Sequence, residues 1–328
     1  MADALGALLP ATLPEPQEAE AYAPSNIALS KYWGKRDAAL NLPLNSSLSI
    51  SLAHWGTTTR IAPAVEDEVI FNGVLLSPED GFARKVIGYL DRFRRGAVRP
   101  VRVDTTNTIP TAAGLASSAS GFAALTQAIN SAFQLGLSAP QQSMVSRLGS
   151  GSATRSFWHG FVRWDRGTQP DGADSFATPL DTAWPEFRIA LIKVDTAPKA
   201  HSSRDGMAHT VATSPLFGPW PERAEADCAA IERAIRARDF ATLGALTEAN
   251  ALAMHATMMA ARPALTYLKS GSWQVLETLW AARAAGLNAY ATMDAGANVK
   301  LIFLSEAEAA IRALFPAADI IDPFGYSP

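Results

Sequence analysis

The segment from Ile109 to Ala119 (IPTAAGLASSA) constrains the fold more than any other part of the chain. It follows Val98–Thr105, an alternating apolar and polar run that predicts a strand, and leads into Ser120–Ala132, which is alanine-rich and lacks proline. A turn of small residues therefore opens onto a predicted helix N-terminus, where unpaired N–H groups and the helix dipole favour bound phosphate. The alternative from these residues alone is a helix start that only caps itself.

Length, charge and cysteine content narrow the class of protein. A chain of 328 residues with 48% apolar and 18% charged residues suffices for one large or two medium globular domains. The net charge of −3 provides no general attraction for nucleic acid or an anionic membrane. The single cysteine, Cys228, excludes an intramolecular disulfide and a multi-cysteine metal site. These features predict a cytoplasmic protein that binds neither nucleic acid nor membrane.

The first residues do not have the pattern of a targeting segment. Residues 1–22 are rich in Ala, Pro and Glu, and the first basic side chain is Lys31. Because a secretory signal needs a basic start and a compact apolar stretch, the sequence predicts a flexible N-terminal tail instead. No run approaches the roughly 18–20 consecutive apolar residues of a membrane span.

The order of predicted elements indicates an α+β fold with two lobes. The predicted strands are 46–53, 57–62, 68–71, 98–105, 187–194, 288–293 and 299–304, and the predicted helices are 80–95, 120–132, 139–148, 222–238, 240–257 and 273–285. We expect the boundary near residues 185–200, with a tail at 1–22, an N-terminal lobe at 23–190 and a C-terminal lobe at 191–328. A site between the lobes is expected.

The segment from Asn26 to Arg36 (NIALSKYWGKR) is a candidate anion site. It carries three cations and two aromatic residues, although the protein is acidic overall. Lys31, with one hydroxyl and two aromatic neighbours, is more easily desolvated than Lys35, and a desolvated lysine can offset a developing negative charge. The alternative is a solvated basic turn.

The segment from Gly149 to Ser156 (GSGSATRS) combines flexibility with anion-binding groups. Its glycines permit close approach of the backbone, its serines supply hydroxyls, and Arg155 offers a planar fork that matches a carboxylate or phosphate. A flexible linker is the alternative, but the run is short and enters the apolar segment 157–164 directly.

Two further segments carry chemistry. His201–Met207 (HSSRDGM) places hydroxyls beside an arginine after a predicted buried strand. Met293–Asn298 (MDAGAN) lies between two predicted strands, so that partial burial of Asp294 could tune its pKa and hold it as a base. The alternative for Asp294 is a residue that only caps the turn.

Other common motifs are absent from the sequence. The five histidines show no metal-ligand spacing, and His255 is interpreted as a helix-packing residue. The chain has neither a Gly-x4-Gly-Lys-Ser/Thr loop nor a strand-anchored Gly-x-Gly-x-x-Gly segment.

Taken together, these segments resemble the diphosphomevalonate decarboxylases, in the superfamily of galactokinase, homoserine kinase, mevalonate kinase and phosphomevalonate kinase. The likeness runs in order from about Ala23 to Leu304. The segments that carry it are Asn26–Lys35 with Leu42–Ser49, Pro110–Ala119, Gly149–Arg155 with Gly160-Phe161, Ser202–Met207, Glu248–Asn250 with Met254–Ala256, and Thr292–Asn298.

The resemblance implies an N-terminal lobe like domain 2 of ribosomal protein S5, a C-terminal ferredoxin-like lobe, and a homodimer. It implies decarboxylation of mevalonate 5-diphosphate to isopentenyl diphosphate, ADP, phosphate and carbon dioxide, with ATP and Mg²⁺ required. This reaction belongs to the mevalonate pathway of isoprenoid biosynthesis.

The resemblance also implies roles for individual residues. Asp294 matches the catalytic aspartate, Arg155 the arginine that orients the substrate carboxylate, and Lys31 the lysine beside the transferring phosphoryl group. The implied substrate-binding residues are Asn26, Tyr32, Lys35, Ser150, Ser152, Ser203 and Arg204. The implied ATP-phosphate loop comprises Pro110, Ala113, Gly114, Leu115, Ala116, Ser117 and Ser118, with Ser118 as a candidate Mg²⁺ ligand.

Three positions depart from the family pattern. Ala297 replaces the usual proline, Ser30 replaces an aliphatic residue, and Asp205 puts a negative charge near the expected diphosphate pocket. Three alternative functions stay open: a mevalonate 5-phosphate decarboxylase that forms isopentenyl phosphate, a mevalonate 3-kinase, and a catalytically silent nucleotide-binding or scaffold protein.

Overall fold

The N-terminal lobe is a sheet covered by helices on one face. The computed structural model describes residues 4–109, 117–197 and 200–325, and for Ser117 the backbone alone. The elements of this lobe are α1 (Ala4–Leu8), β1 (Ala19–Ser30), β2 (Lys35–Asp37), β3 (Leu42–Pro43), β4 (Ser47–Pro63), β5 (Glu68–Phe71), β6 (Val74–Leu75), α2 (Gly81–Arg94), β7 (Val101–Asn107), α3 (Ser117–Ala132), α4 (Ala139–Ser146), a 3-10 turn (Gly151–Arg155), β8 (Phe161–Trp164) and β9 (Ala177–Pro179).

The long strand β4 organises this sheet. The strand order is β6-β5-β7-β4-β8-β9, and β1 also pairs antiparallel with β4. Apolar side chains on the covered face, such as Ile61 and Val103, share one buried core with Leu90 of α2 and Ile129 of α3. Burial of these side chains fixes α3 across the sheet, so the N-terminus of α3 has a defined position.

The C-terminal lobe has the ferredoxin-like topology. Its elements are β10 (Phe187–Ile192), α5 (Ser203–Thr213), α6 (Trp220–Ala237), α7 (Phe240–Met259), α8 (Ser270–Ala284), β11 (Ala289–Thr292), β12 (Val299–Leu304), a 3-10 turn (Ser305–Ala307), α9 (Glu308–Leu314) and β13 (Asp319–Ile321). The sheet is antiparallel with the order β11-β12-β10-β13. The predicted α+β fold with two lobes is confirmed.

The start of the chain differs from the flexible tail that was expected at 1–22. Leu5, Leu9 and Leu13 are buried in the core of the N-terminal lobe, and the N–H of Gln17 donates to the carbonyl of Ala132 at 2.9 Å. Spaced leucines in an Ala/Pro-rich segment can thus anchor it, because each buried leucine gains about 1.5–3 kcal/mol of transfer free energy.

The expected lobe boundary at 190/191 also differs from the structure. Strand β10 runs without interruption through this point and pairs on both sides within the C-terminal sheet. The lobes are therefore better separated before Phe187. No helix in the described part of the chain is long and apolar enough to cross a membrane.

Candidate active site

A cleft of about 390 Å³ lies between the two lobes. Side chains from the basic segment, the glycine-serine turn, the start of α5 and the β11–β12 turn all line it. Of the residues with expected roles, the cleft brings together Asn26, Lys31, Tyr32, Lys35, Ser118, Ser150, Ser152, Arg155, Ser203, Arg204 and Asp294. Pro110, Ala113, Gly114, Leu115 and Ala116 lie outside the described residues, as does the side chain of Ser117.

Strand β1 places Lys31 and Asn26 in the cleft. Register shifts between Pro24 and Asn26 and between Ala28 and Ser30 interrupt its pairing with β4, and such bulges re-aim side chains. The main chain of Lys31 is fixed on both sides: its N–H donates to Oδ1 of Asn250 at 2.8 Å, and its carbonyl accepts from Asn45 Nδ2 at 2.8 Å. Lys31, which directly follows β1, is thus held by the loop between β3 and β4 and by helix α7.

Asp294 lies between two buried ammonium groups. Lys31 Nζ is 2.8 Å from Oδ1 and Lys300 Nζ is 3.3 Å from Oδ2. Both lysine side chains are almost fully buried, at 2% and 1% exposure, whereas Asp294 keeps 38% of its side chain accessible from the cleft. The carboxylate is therefore paired on both oxygens and still faces the space where a substrate would bind.

The charges in this cluster shift each other's protonation. Burial lowers the pKa of Lys31 to about 8, although the Asp294 carboxylate counteracts it. Burial opposes ionisation of Asp294, but Lys31 and Lys300 outweigh it and hold the pKa of that carboxyl well below its usual range. Asp294 is thus ionised and Lys31 is mostly protonated at neutral pH, which is the charge state needed to face a phosphoryl group.

Lys300 was not singled out from the sequence. It stands in the run VKLIFL, where a single lysine is more often an edge charge than a buried group. Strand β12 places it opposite Thr292, the last residue of β11, and Asp294 follows two residues later in the β11–β12 turn. A lysine inside an otherwise apolar strand, six residues after Asp294, was the available signal.

His255 is a buried residue of helix α7, as interpreted from the sequence, and it also lies beside the cluster of Lys31 and Asp294. It is 1% exposed, and burial first and the Lys31 charge second lower its pKa to about 4. The ring is therefore neutral at neutral pH and adds no further cation beside the carboxylate.

Arg155 ends the 3-10 turn and is 2% exposed. Its Nη1 donates to Ser47 Oγ at 2.5 Å, its Nη2 donates to Asn26 Oδ1 at 3.4 Å, and its Cζ lies 5.9 Å from the ring centre of Trp164. Its buried Nε has no hydrogen-bond partner among the described residues. The guanidinium is therefore held in place by the protein, and because Arg155 lines the cleft, the second N–H groups of Nη1 and Nη2 are the candidate donors for an anionic ligand.

The glycines of the turn serve the protein's own packing. A Cβ on Gly151 would lie 2.7 Å from the Tyr32 ring, and one on Gly149 would lie 2.1 Å from Phe122. These positions therefore need glycine because an aromatic ring covers each of them. Tyr32 is packed edge-on against Trp164, and burial raises the pKa of its hydroxyl above the usual range.

The other end of the cleft is polar and more open. The hydroxyls of Ser150 and Ser152 are 3.2 Å apart, and Ser118 Oγ is 3.4 Å from Ser150 Oγ. Ser203 and Arg204 are exposed in the first turn of α5, which was not predicted as a helix. Two helix N-termini, those of α3 and α5, thus border one cleft, which favours a ligand with several negative charges.

Lys35 completes this polar end. Its Nζ donates to Asn41 Oδ1 at 2.6 Å, and burial followed by the nearby Arg204 charge lowers the pKa of Lys35. The Arg204 charge disfavours the charged form of Lys35, which indicates a place where an anion would be stabilised.

A second cavity of about 120 Å³ adjoins the cleft. It shares Lys85, Ser118 and Phe122 with the cleft and continues between α2, α3 and the sheet, where Phe71 and Phe82 line it. This slot is mainly apolar and lies beside the N-terminus of α3, so it is a candidate site for the apolar part of a ligand whose charged groups lie at the helix end.

The chain matches family models over both lobes. Residues 23–177 match the diphosphomevalonate decarboxylase-like N-terminal domain, and residues 189–322 match the mevalonate 5-diphosphate decarboxylase C-terminal domain. Diphosphomevalonate decarboxylase mvd1 of Aspergillus fumigatus is 40% identical over 315 residues, which cover 87% of this chain and 76% of the relative.

Solved structures agree with the sequence matches. A mevalonate diphosphate decarboxylase structure from Staphylococcus aureus has a TM-score of 0.88 at 35% identity and covers 93% of this chain and 95% of its own. The structure of MDDEF in complex with MVAPP, AMPPCP and magnesium has a TM-score of 0.87 at 39% identity and covers 93% of this chain and 96% of its own. The chain belongs to the diphosphomevalonate decarboxylase family.

Proposed function

We propose that this protein is an ATP-dependent carboxy-lyase that converts mevalonate 5-diphosphate to isopentenyl diphosphate, ADP, phosphate and carbon dioxide. The observation that carries the proposal is the ionised Asp294, paired with buried Lys31 and facing the cleft that Arg155 also lines. Phosphoryl transfer needs preorganised charge, and decarboxylation needs a positioned carboxylate.

In the first step, Asp294 orients the substrate 3-hydroxyl. A tertiary hydroxyl is a poor leaving group, so its phosphorylation by ATP makes elimination feasible. The carboxylate accepts a hydrogen bond from the hydroxyl and aims an oxygen lone pair at the γ-phosphorus. A weak base suffices, because the hydroxyl proton becomes strongly acidic as the oxygen–phosphorus bond forms. Lys31 offsets negative charge on the phosphoryl group.

In the second step, Arg155 positions the substrate carboxylate. Loss of the 3-phosphate leaves cationic character at C3, and the C–C bond to the carboxylate supplies the electrons of the new alkene as carbon dioxide leaves. The guanidinium must hold the carboxylate in line without stabilising it too strongly. Burial lowers the pKa of Arg155 to about 10. This shift fits a guanidinium with few carboxylates nearby to compete with the substrate carboxylate.

The polar end of the cleft suits the diphosphate. Hydroxyls of Tyr32, Ser150, Ser152 and Ser203 together with the cations Lys35 and Arg204 supply the donors that phosphate oxygens need. Asn26 supports this arrangement from β1: its Nδ2 donates to Ser156 Oγ at 2.8 Å and to the Ser152 carbonyl at 3.3 Å.

The nucleotide and magnesium would lie next to this end. We propose that the adenine binds in the apolar slot beside Lys85 and, as the family resemblance implies, that the ATP phosphates bind at the loop 110–118. The similar structure of MDDEF, which holds MVAPP, AMPPCP and magnesium, supports ATP and Mg²⁺ as ligands. The described residues contain no group of three or more His, Cys, Asp or Glu side chains that could hold a metal. The Ser118 hydroxyl is the candidate protein ligand for Mg²⁺, and the ATP phosphates would supply further oxygen ligands. Bound Mg²⁺ neutralises charge on the β- and γ-phosphates.

Carbon dioxide release tests the proposal. The chain is incubated with ATP, Mg²⁺ and mevalonate 5-diphosphate labelled at the carboxylate, and labelled carbon dioxide and ADP are measured separately. Equal amounts of both support the decarboxylase, and ADP without carbon dioxide indicates a mevalonate 3-kinase. Faster turnover of mevalonate 5-phosphate indicates the monophosphate decarboxylase, and no turnover of either substrate indicates a silent protein.

We also propose that the protein is a cytoplasmic homodimer. The family resemblance supports the dimer, and the single, buried Cys228 is compatible with a reducing compartment. Light scattering coupled to gel filtration tests the oligomeric state: a mass of one chain contradicts it.

A further inference from the structure

Lys300 is buried at a cost that packing alone does not explain. It is 1% exposed in the middle of the C-terminal sheet, with Leu191 opposite it on β10 and Thr292 opposite it on β11. Its Nζ lies 3.3 Å from Asp294 Oδ2 and 3.5 Å from the Asn298 carbonyl. Burial of an ammonium group costs several kcal/mol unless charge and hydrogen bonds compensate. Asp294 is the anion that compensates it.

The two lysines hold Asp294 by different oxygens and from different lobes. Lys31 approaches Oδ1 from β1 of the N-terminal lobe, while Lys300 approaches Oδ2 from β12 of the C-terminal lobe. A carboxylate paired at one oxygen can still rotate about its side-chain torsion. One that is paired at both oxygens has its plane fixed, so only its remaining lone pairs face the cleft.

The two lysines differ in whether their side chains can reach a ligand in the cleft. Lys31 lines the cleft and can approach a bound phosphoryl group, but Lys300 does not line it. When a phosphoryl group draws Lys31 toward itself, the Asp294–Lys31 contact weakens. The contact with Lys300 remains, and it is the one that keeps the carboxylate ionised and oriented at that moment.

We propose that Lys300 is a positioning residue for phosphoryl transfer, holding Asp294 Oδ2 so that the carboxylate stays oriented on the substrate hydroxyl while Lys31 engages the phosphoryl group. The inference rests on the proposed function and assigns a role to a residue that does not itself touch substrate. Lys300→Met is expected to lower kcat by about 100-fold, as loss of one preorganised electrostatic contact does, and to change KM by less than about threefold.

A double-mutant cycle separates this role from a structural one. If Lys300 acts through Asp294, then Asp294→Asn combined with Lys300→Met is no slower than Asp294→Asn alone. Lys300→Arg keeps the charge and is expected to recover at least a tenth of the wild-type kcat. Lys193→Met is the matched control, because Lys193 forms a 2.8 Å pair with Asp319 in the same lobe and lies outside the cleft.

The pH profile gives an independent readout. The charged groups that face Lys31 are Asp294 on the β11–β12 turn, Lys300 on β12 and Arg155 on the 3-10 turn, with His255 on α7 neutral nearby. Asp227 lies behind Asn250, whose Nδ2 donates to it at 3.0 Å. Deprotonation of Lys31 is expected to cause the fall of kcat/KM at alkaline pH. Because the Lys300 charge lowers the pKa of Lys31, this fall should move to higher pH in Lys300→Met and stay in place in Lys193→Met.

The assay for these variants is ADP release, because a decarboxylase and a 3-kinase both produce ADP. The role of Lys300 in phosphoryl transfer can therefore be tested even if the protein does not release carbon dioxide. If Lys300→Met does not fold, as judged by thermal unfolding, then Lys300→Gln, which keeps a donor without the charge, carries the same test. A kcat within threefold of wild type, additive losses in the double variant, or an unmoved alkaline limb would each overturn the inference.

Discussion

The two ends of the cleft are built differently. At the end that we propose to be catalytic, called the catalytic end below, Lys31, Asp294 and Arg155 are held by protein contacts, and both cations are buried. At the end that we propose binds the diphosphate, called the phosphate end below, Ser203 and Arg204 are exposed and Arg204 forms no ion pair with the described residues. Groups that stabilise a transition state gain from being fixed in advance, whereas groups that capture a diphosphate must stay accessible. We therefore expect substitutions at the first end to change kcat and those at the second to change KM.

The largest effect is expected at Asp294. Asp294→Asn keeps the shape of the side chain but removes the charge that Lys31 and Lys300 hold, so the hydroxyl is no longer oriented by an anion. We expect a loss of about 3–6 kcal/mol of transition-state stabilisation, so that kcat falls roughly 10²–10⁴-fold while KM changes less than threefold. Lys31→Met is expected to cost a similar amount. Steady-state ADP release measures both variants.

A matched variant shows whether the loss is local. Asp319→Asn removes a carboxylate that also pairs with a lysine, at 2.8 Å from Lys193, but it lies on β13, at the opposite edge of the sheet from β11. It is expected to keep kcat within twofold. Near-normal turnover in Asp294→Asn, or an equal loss in both variants, contradicts the assignment of the catalytic end.

The next effect is expected at Arg204 and should fall on binding. Arg204→Ala removes an exposed cation from the first turn of α5, so KM for mevalonate 5-diphosphate should rise about 10–100-fold, with kcat within threefold of wild type. The KM for mevalonate 5-phosphate should rise less, because it carries one phosphate fewer. Arg236→Ala, which removes an exposed helix arginine paired with Glu232, is the control. A loss confined to kcat would remove the contrast between the two ends.

The alkaline pH dependence of kcat/KM is expected to report the catalytic end. Lys31 must be protonated to offset phosphoryl charge, and burial lowers its pKa to about 8. As pH rises through that value, the free enzyme loses the proton, so kcat/KM should fall about tenfold per pH unit above it. In kcat the limb should lie at higher pH, because bound phosphates favour the charged lysine. A profile that is flat from pH 7 to pH 10 contradicts this role for Lys31.

The sequence predicted the catalytic end more completely than its surroundings. Lys31, Arg155 and Asp294 could be chosen because each stands in a distinctive segment, and the structure brings them to one cleft. Lys300 and Asn250 lie in an apolar strand and a helix, where their polar atoms gain meaning only from partners far away in the chain. The sequence around each residue gives no information about such long-range contacts.

The fold shows the same division. Helix α2 begins one residue after Asp80, whose carboxylate accepts from the N–H groups of Phe82 and Ala83, so a local cap fixed a boundary that was predicted closely. Strand β1 was missed because Pro24 and two register shifts interrupt its alternation, and its partner β4 supplies the pairing. Strands are decided by distant partners, whereas helix ends are decided nearby.

The smallest effect is expected from Asp205, one residue after Arg204. Its Oδ2 accepts from Ser202 Oγ at 2.6 Å, so this exposed carboxylate stays near the diphosphate end and opposes a bound anion. Asp205→Asn removes the charge but keeps the size, and KM for mevalonate 5-diphosphate should fall about two- to fivefold at low salt. Because exposed charges are screened, the difference should vanish near 0.5 M salt, an order-of-magnitude threshold set by a Debye length of only a few ångströms. A difference that persists in high salt would mean that Asp205 contacts the ligand region through packing or hydrogen bonds. The phosphate end would then be as preorganised as the catalytic one, and the contrast between them would fail.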